Sequence, residues 1–346
     1  MVIPMDAETF ADLVKQGYNR IPVVHTSLAD LDTPLSVYMK LARGPYSYLL
    51  ESAQGGEKWG RYSIIGLPAR TVLKVVGNTI TIETDGELVE SLTTQDPLTF
   101  IEDFQARYKV PQLPELPRFY GGLVGYFGYD TVRYTEKRLA ESTPPDTLGT
   151  PDIVLMVSED VVVFDNLKGQ MQLISLVDPN DPDIYQRTLE TLQDRAQQLL
   201  QVVPTLVETQ TNQPVEESDF VSEFGEAAFK QAVEKIREYT RAGDVMQVVL
   251  AQRLSLPFGS EPINLYRALR SLNPSPYMYF MDLDEFQIVS SSPEILARVE
   301  DGEVTNRPLA GTRRRGHTAE EDLALEKELL ADPKELAEHL MLCLLY

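Results

Sequence analysis

Glu335 and Glu338 stand three residues apart in the run Lys334-Glu335-Leu336-Ala337-Glu338-His339-Leu340-Met341-Leu342. On a helix that spacing puts both carboxylates on one face. Side by side they repel unless solvent screens them or a cation sits between them. Mg2+ suits such a place, because it prefers oxygen ligands and bridges to anionic substrates. Read alone, the pair is a solvated helix face. Upstream, Pro308-Leu309-Ala310-Gly311-Thr312 is a small-residue loop whose backbone N–H groups an anion can approach closely, since Gly311 has no Cβ to obstruct it. Read alone, it is a strand end followed by a turn. Arg313-Arg314-Arg315 is the strongest basic cluster of the chain, able either to attract a dianion or to pair with neighbouring acids. Gln247 lies in Met246-Gln247-Val248-Val249-Leu250-Ala251-Gln252-Arg253, a run whose alternate residues can face a ligand if it is a strand. Glu294 closes Ser291-Ser292-Pro293-Glu294, where by itself it is a helix-start residue favoured at the positive dipole end. His25, His317 and His339 are too scattered to suggest a metal cluster, and the single Cys343 cannot furnish a glutaminase triad.

These residues need elements to hold them. Residues 7–17 form an amphipathic pattern closed by Gly17, and Leu35–Leu41 follows Pro34 as a helix would. Tyr46–Glu51 and Tyr62–Gly66 have strand patterning. Val72–Val76 and Thr79–Ile82 flank Gly77-Asn78, a hairpin signal. Ile153–Met156, Val161–Phe164 and Met171–Leu176 predict a meander turning through Asp165–Gly169, and Tyr185–Leu199 recurs at helical spacing. Residues 204–222 are polar and proline-bearing, which places a linker there between a region 1–203 and a region 223–346. Beyond it the pattern predicts a helix around Phe229–Tyr239 capped by Gly243, a strand over Val245–Leu256, a helix over Tyr266–Leu272, and strands at Tyr277–Met281, Phe286–Ser290 and Ile295–Val299. An acidic helical run follows the arginines. Strands and helices do not alternate regularly, so the class is α+β and not a doubly wound sheet.

Bulk properties narrow the function. A hydrophobic share of 43% and a charged share of 24% over 346 residues are those of a globular protein with a sizeable core. A net charge of -22 argues against nucleic acid and against an anionic membrane surface, and a small anionic substrate would need a local basic pocket or a cation. One cysteine points to a reducing compartment. Met1–Phe10 lacks the apolar core of a signal peptide, and no run of about 18 apolar residues exists to span a membrane. The expectation is a cytoplasmic protein.

The pairing of Arg307-Pro308-Leu309-Ala310-Gly311-Thr312-Arg313-Arg314-Arg315-Gly316 with the Ala337-Glu338-His339-Leu340-Met341-Leu342 helix resembles the chorismate-binding enzymes, most closely the anthranilate synthase component I family. The resemblance runs from about Leu31 to Leu342 and takes in Gly60–Gly66 and Gly121–Asp130, to which a structural role falls. It implies a two-sheet antiparallel sandwich flanked by helices. It implies that 1–203 is the N-terminal regulatory region and 223–346 the first part of the chorismate-binding domain. By the same resemblance Glu338 ligates Mg2+ that holds a substrate carboxylate, Glu335 is its nearby partner, Gly311 and Thr312 contact substrate, and Glu294 is the general acid that helps expel the ring hydroxyl. That last role would require burial to raise its pKa. Gln247 occupies the catalytic position at which water-using relatives carry a lysine base, and it lacks a titratable group. Ala310 stands where aminodeoxychorismate synthases carry a nucleophilic lysine. Both positions select an ammonia-using lyase.

The implied reaction is chorismate plus ammonia to anthranilate plus pyruvate, in tryptophan biosynthesis. Ammonia would come from a glutamine amidotransferase subunit (component II), making a hetero-oligomer. Leu50, Glu51 and Ser52 with Asn273, Pro274, Tyr277 and Met278 match the two segments that form the family's tryptophan feedback site. Leu50, Pro274, Tyr277 and Met278 would supply walls, and Glu51, Ser52 and Asn273 polar contacts. In the family the chain continues beyond this helix with a second metal carboxylate and the catalytic histidine, so the expectation is a C-terminally truncated chain, inactive if it works without that part. Two alternatives stand beside this reading: a non-catalytic tryptophan-binding regulatory remnant, and an aminodeoxychorismate synthase component I, which Ala310 disfavours.

Overall fold

A computed structural model describes residues 6–52, 60–204 and 214–342. Contacts gather the chain into two compact units, Met1–Leu206 with Pro262–Pro293, and Val207–Glu261 with Glu294–Tyr346. The boundary read at 204–222 therefore marks only the first of three crossings. Residues 262–293 leave the predicted 223–346 region because their strands find hydrogen-bond partners in the first unit. Much of the predicted linker, 205–213, lies outside the described residues, as does Cys343.

The first unit is built on two antiparallel sheets. Seven strands, β1 (Ile21–Leu28), β2 (Ser47–Glu51), β3 (Tyr62–Gly66), β9 (Asp160–Asp165), β10 (Gln170–Val177), β13 (Tyr277–Asp282) and β14 (Gln287–Ser292), pair in the order β1-β10-β9-β3-β2-β13-β14. Five more, β4 (Thr71–Val76), β5 (Thr79–Thr84), β6 (Glu87–Thr93), β7 (Gly122–Phe127) and β8 (Ile153–Ser158), pair as β6-β5-β4-β8-β7. Alternation of side chains sorts each strand's residues onto two faces. Tyr48, Val72, Val154, Met156, Met281 and Leu283 form a cluster contributed by both sheets. The Tyr48 hydroxyl and Ser158 Oγ bond at 2.7 Å across it. A Cβ at Gly66 would collide with the Tyr48 ring, so the small residue is needed there. Leu49, Ile65, Val162 and Leu173, on the other face of the larger sheet, pack with residues of helices Ala7–Lys15, Ile184–Gln198 and Pro262–Leu272 and of the turn Tyr38–Ala42. Helix Pro97–Ala106 lays Ile101 and Phe104 against Leu73, Val75 and Ile80 of the smaller sheet. The order of layers is helix, sheet, sheet, helix, the predicted flanked sandwich.

Three local expectations need correction. The predicted meander does not form, because β8 and β9, separated by Glu159 alone, belong to different sheets. One residue is too few for a hairpin loop, so the chain passes from one layer to the other instead. Val245–Leu256 is not a continuous strand. Only Leu254–Ser255 pairs, with Val221–Ser222, and the rest of the run has no ladder partner among the described residues. The strand expected at Ile295–Val299 lies at Arg298–Glu300, where it pairs with Glu303–Thr305 through Asp301 and Gly302. Both turn residues have positive φ, 52° and 81°, as a tight hairpin of this hand requires.

The second unit's other helices are Glu226–Ala242, ended by left-handed Gly243, then Ala319–Ala331 and Pro333–Leu342. Asp332 separates the last two, its Oδ1 accepting the Lys334 N–H at 2.9 Å. Pro333 follows at the first helical position, where its missing N–H costs nothing.

Candidate functional sites in the two units

In the second unit the motifs picked out by residue chemistry come together through side chains. Glu294 Oε2 accepts the backbone N–H of Leu309 at 2.5 Å, which ties the Ser-Pro-Glu segment to the Pro308–Thr312 loop. Gly311 faces Glu335 so closely that a Cβ there would strike the carboxylate. Gln247 Nε2 donates to Glu338 Oε1 at 3.4 Å. Glu335 and Glu338 share helix Pro333–Leu342, so the loop, the Ser-Pro-Glu segment, the Gln247 run and the carboxylate helix form one cluster. Contacts thus link Glu294 to the loop, Gly311 to Glu335, and Gln247 to Glu338. For Thr312, an exposed residue, the contact seen is its carbonyl accepting from Arg313 Nη1 at 3.0 Å.

One expectation about this cluster differs from the structure, and one open reading is decided. Glu294 and Gln247 are exposed, so burial does not supply the environment expected of a general acid at Glu294. Of the two readings of the arginine cluster, pairing with neighbouring acids is the one seen: Arg313 holds three carboxylates, Glu328 at 3.0 Å, Asp332 at 2.8 Å and Glu335 at 3.3 Å. Arg314 pairs with Glu321 and Arg315 with Asp322. The tri-arginine segment thus fastens the loop to the acidic helices. The Lys334 amide, and then the Glu335 amide and Arg313, hold the Asp332 carboxyl below its ordinary range. Asp332 and Glu328 were not legible as loop partners, although acids on the helix beyond an arginine run are a usable signal.

The donor chemistry here fits Mg2+ in kind. Glu338 and Glu335 offer hard oxygen ligands one helical turn apart, and Mg2+ commonly takes one or two carboxylates and keeps water for the rest. Of the two, Glu335 is already engaged by Arg313. Among the described residues no group of three His, Cys, Asp or Glu side chains could enclose a metal.

The first unit holds the other predicted constellation. β2 and β13 are paired neighbours, with Met278 opposite Glu51 and Tyr279 opposite Leu50. The two effector segments are therefore adjacent, although separated by more than two hundred residues of chain. Alternation divides them between faces. Leu50 packs in the cluster between the sheets, whereas Met278, 1% exposed, packs in the helix-covered core. Tyr277 precedes Met278 in β13 and so alternates away from it, and it is half-buried, as is Pro274. Asn273 caps the end of helix Pro262–Leu272 and its carbonyl accepts the Ser291 hydroxyl at 2.6 Å. Ser52, beside Glu51, is half-buried.

Glu51 is the unusual member. Its side chain is 2% exposed and paired through Oε1 with Arg270 Nε. Its other oxygen, together with the Tyr266 hydroxyl and Ser275 Oγ, is buried without a hydrogen-bond partner among the described residues. Burial first, and the Glu51 carboxylate next, push the Tyr266 hydroxyl well above its ordinary pKa. Neither Tyr266 nor Arg270 was singled out from sequence. They lie one helical turn apart just before Asn273, which is the signal that could have found them.

The architecture agrees with that of known proteins. The chorismate binding enzyme family profile matches residues 47–346, and the chain belongs to that family. Among its relatives, anthranilate synthase component 1 of Pseudomonas aeruginosa is 55% identical over 98% of this chain and 69% of its own length. The protein of the same name from Neisseria meningitidis is 53% identical over 94% of this chain and 66% of its own. The chain thus spans about two thirds of the length of these relatives. Of solved structures, anthranilate synthase component I from Streptococcus pneumoniae superposes with a TM-score of 0.66 at 30% identity, over 92% of this chain and 66% of that one. A menaquinone-specific isochorismate synthase from Escherichia coli, at 17% identity and a TM-score of 0.57, shares the fold. No helix among the described residues is long and apolar enough to cross a membrane.

Proposed function

We propose that this chain is an anthranilate synthase component I, acting on chorismate and ammonia to give anthranilate and pyruvate. The observation that carries the reading is the convergence of Glu294, Gly311, Gln247 and the Glu335/Glu338 helix into one cluster in the second unit. The relatives' name fits that cluster, and so do Ala310 and Gln247, neither of which can act as a nucleophile or a base.

In this reading the Pro308–Thr312 loop binds a substrate carboxylate with backbone N–H groups, and Gly311 lets the ligand and the Glu335 side chain approach the backbone together. Glu338 holds Mg2+, with Glu335 beside it; the ion supplies positive charge to orient and polarise the anionic substrate. Glu294 gives its proton to the departing ring hydroxyl, with the Leu309 N–H fixing its carboxyl. Ammonia is delivered by a glutamine amidotransferase subunit, and the protein works in the cytoplasm. Tryptophan is its feedback effector, received where β2 meets β13.

The test is calorimetric titration of chorismate with and without Mg2+, alongside anthranilate fluorescence in ammonium buffer. Glu338→Gln should weaken Mg2+-dependent chorismate binding at least about 10-fold, a cost typical even of outer-shell losses at metal sites. Glu294→Gln should leave that binding in place and lower turnover by roughly 10²–10⁴. Chorismate binding that ignores both Mg2+ and Glu338→Gln would refute the assignment.

A further inference from the structure

Glu51 pairs with Arg270 through one oxygen and leaves the other buried and bare. Burying a carboxylate this deeply is costly without a cation beside it. Arginine is the residue that cannot give its charge away. Arg270 is 44% exposed, so it brings charge to Glu51 from the solvent side. The helix that carries it also carries Tyr266, which is fully buried and packs edge-on against Phe280 with ring centroids 6.1 Å apart. The Tyr266 hydroxyl lies close enough to the Glu51 carboxylate to feel its charge, and Ser275 Oγ, like that hydroxyl, is buried without a hydrogen-bond partner among the described residues. Glu51 Oε2 calls for a donor, and the two hydroxyls can donate or accept.

We infer that Arg270 is a positioning residue for an effector's ammonium group: it pairs with Oε1 and fixes the carboxyl, so that Oε2 faces the ligand as a ready acceptor. The inference rests on the reading of this pocket as the tryptophan effector site and adds the residue that arms it. Arg270 stays in place when the ligand arrives, since the ammonium takes the other oxygen. Its contribution therefore appears only for ligands that carry the ammonium.

Calorimetry on the full chain with L-tryptophan and with indole-3-propionate, which lacks the amine, tests this. Arg270→Gln should weaken tryptophan binding about tenfold or more, the value of a hydrogen bond to a charged group. It should leave indole-3-propionate binding unchanged, which also shows that the variant is folded. Arg270→Lys should restore most of the tryptophan affinity, because it returns the charge. Equal losses for the two ligands, or no loss for either, would overturn Arg270's role while leaving the effector site standing. A wild-type chain that binds no tryptophan would overturn the effector reading itself.

Discussion

The two units position functional side chains by opposite means. In the first, every candidate effector residue stands on or beside strands backed by a packed core, and all the buried residues among those described belong to it. In the second, no described residue is buried; the candidate catalytic groups are held by a hydrogen bond to Leu309, a glycine contact and the Arg313 ion pairs. Dispersion and apolar burial are insensitive to salt, whereas exposed ion pairs are screened by it. Geometry in the first unit should therefore be robust, and geometry in the second tunable by solution conditions.

The largest expected contrast is in truncations. Leu73→Ala removes a side chain with 0% exposure and should cost about 3 kcal/mol, in the range for buried leucines. Leu340→Ala, at 63% exposure, should stay within about 0.5 kcal/mol. Urea unfolding followed by hydrogen exchange in each unit measures both, and comparable costs would erase the distinction.

The next contrast is in alkali. Burial, eased by a hydrogen bond with Ser47, pushes the Tyr38 hydroxyl up to about 12. A folded pKa above the unfolded one means stability that is complete below about pH 10 and lost as pH rises through the folded value. The first unit should loosen between those limits, with Tyr38 ionising as it opens. Ultraviolet titration of tyrosinate checks this; early ionisation of a Tyr38→Phe-sensitive group in the intact protein would contradict it.

The smallest expected effect is Arg313→Gln. Its partners are partly exposed, so the loss should be small at low salt, confined to the second unit and gone in about 1 M salt. Exchange rates of the Pro308–Thr312 amides report it. A salt-independent loss would mean that Arg313 acts through packing.

Local order was legible wherever local chemistry decides it. Gly77-Asn78 marks the β4–β5 turn, and Gly17 and Gly243 end their helices with left-handed φ. β1 was missed, for Pro22 and His25 blur its alternation; a proline is tolerated there because β1 is an edge strand. The parting of β8 from β9 was also missed, since a strand's choice of sheet depends on partners far along the chain. For the sites, residue types pointed to segments that the fold brings into contact. They could not say that Arg313 serves the helices, that Leu50 and Glu51 face opposite ways, or that Arg270 sits on Glu51, because each fact is settled by register and packing.

The return of residues 262–293 to the first unit has a consequence for biosynthesis. β2 gains its second neighbour only when β13 has left the ribosome, well over two hundred residues later. Until then the nascent larger sheet presents β2 as a bare apolar margin, open to pairing with another copy. Slowing translation between β10 and β13 should therefore raise the fraction of chains lost to aggregates.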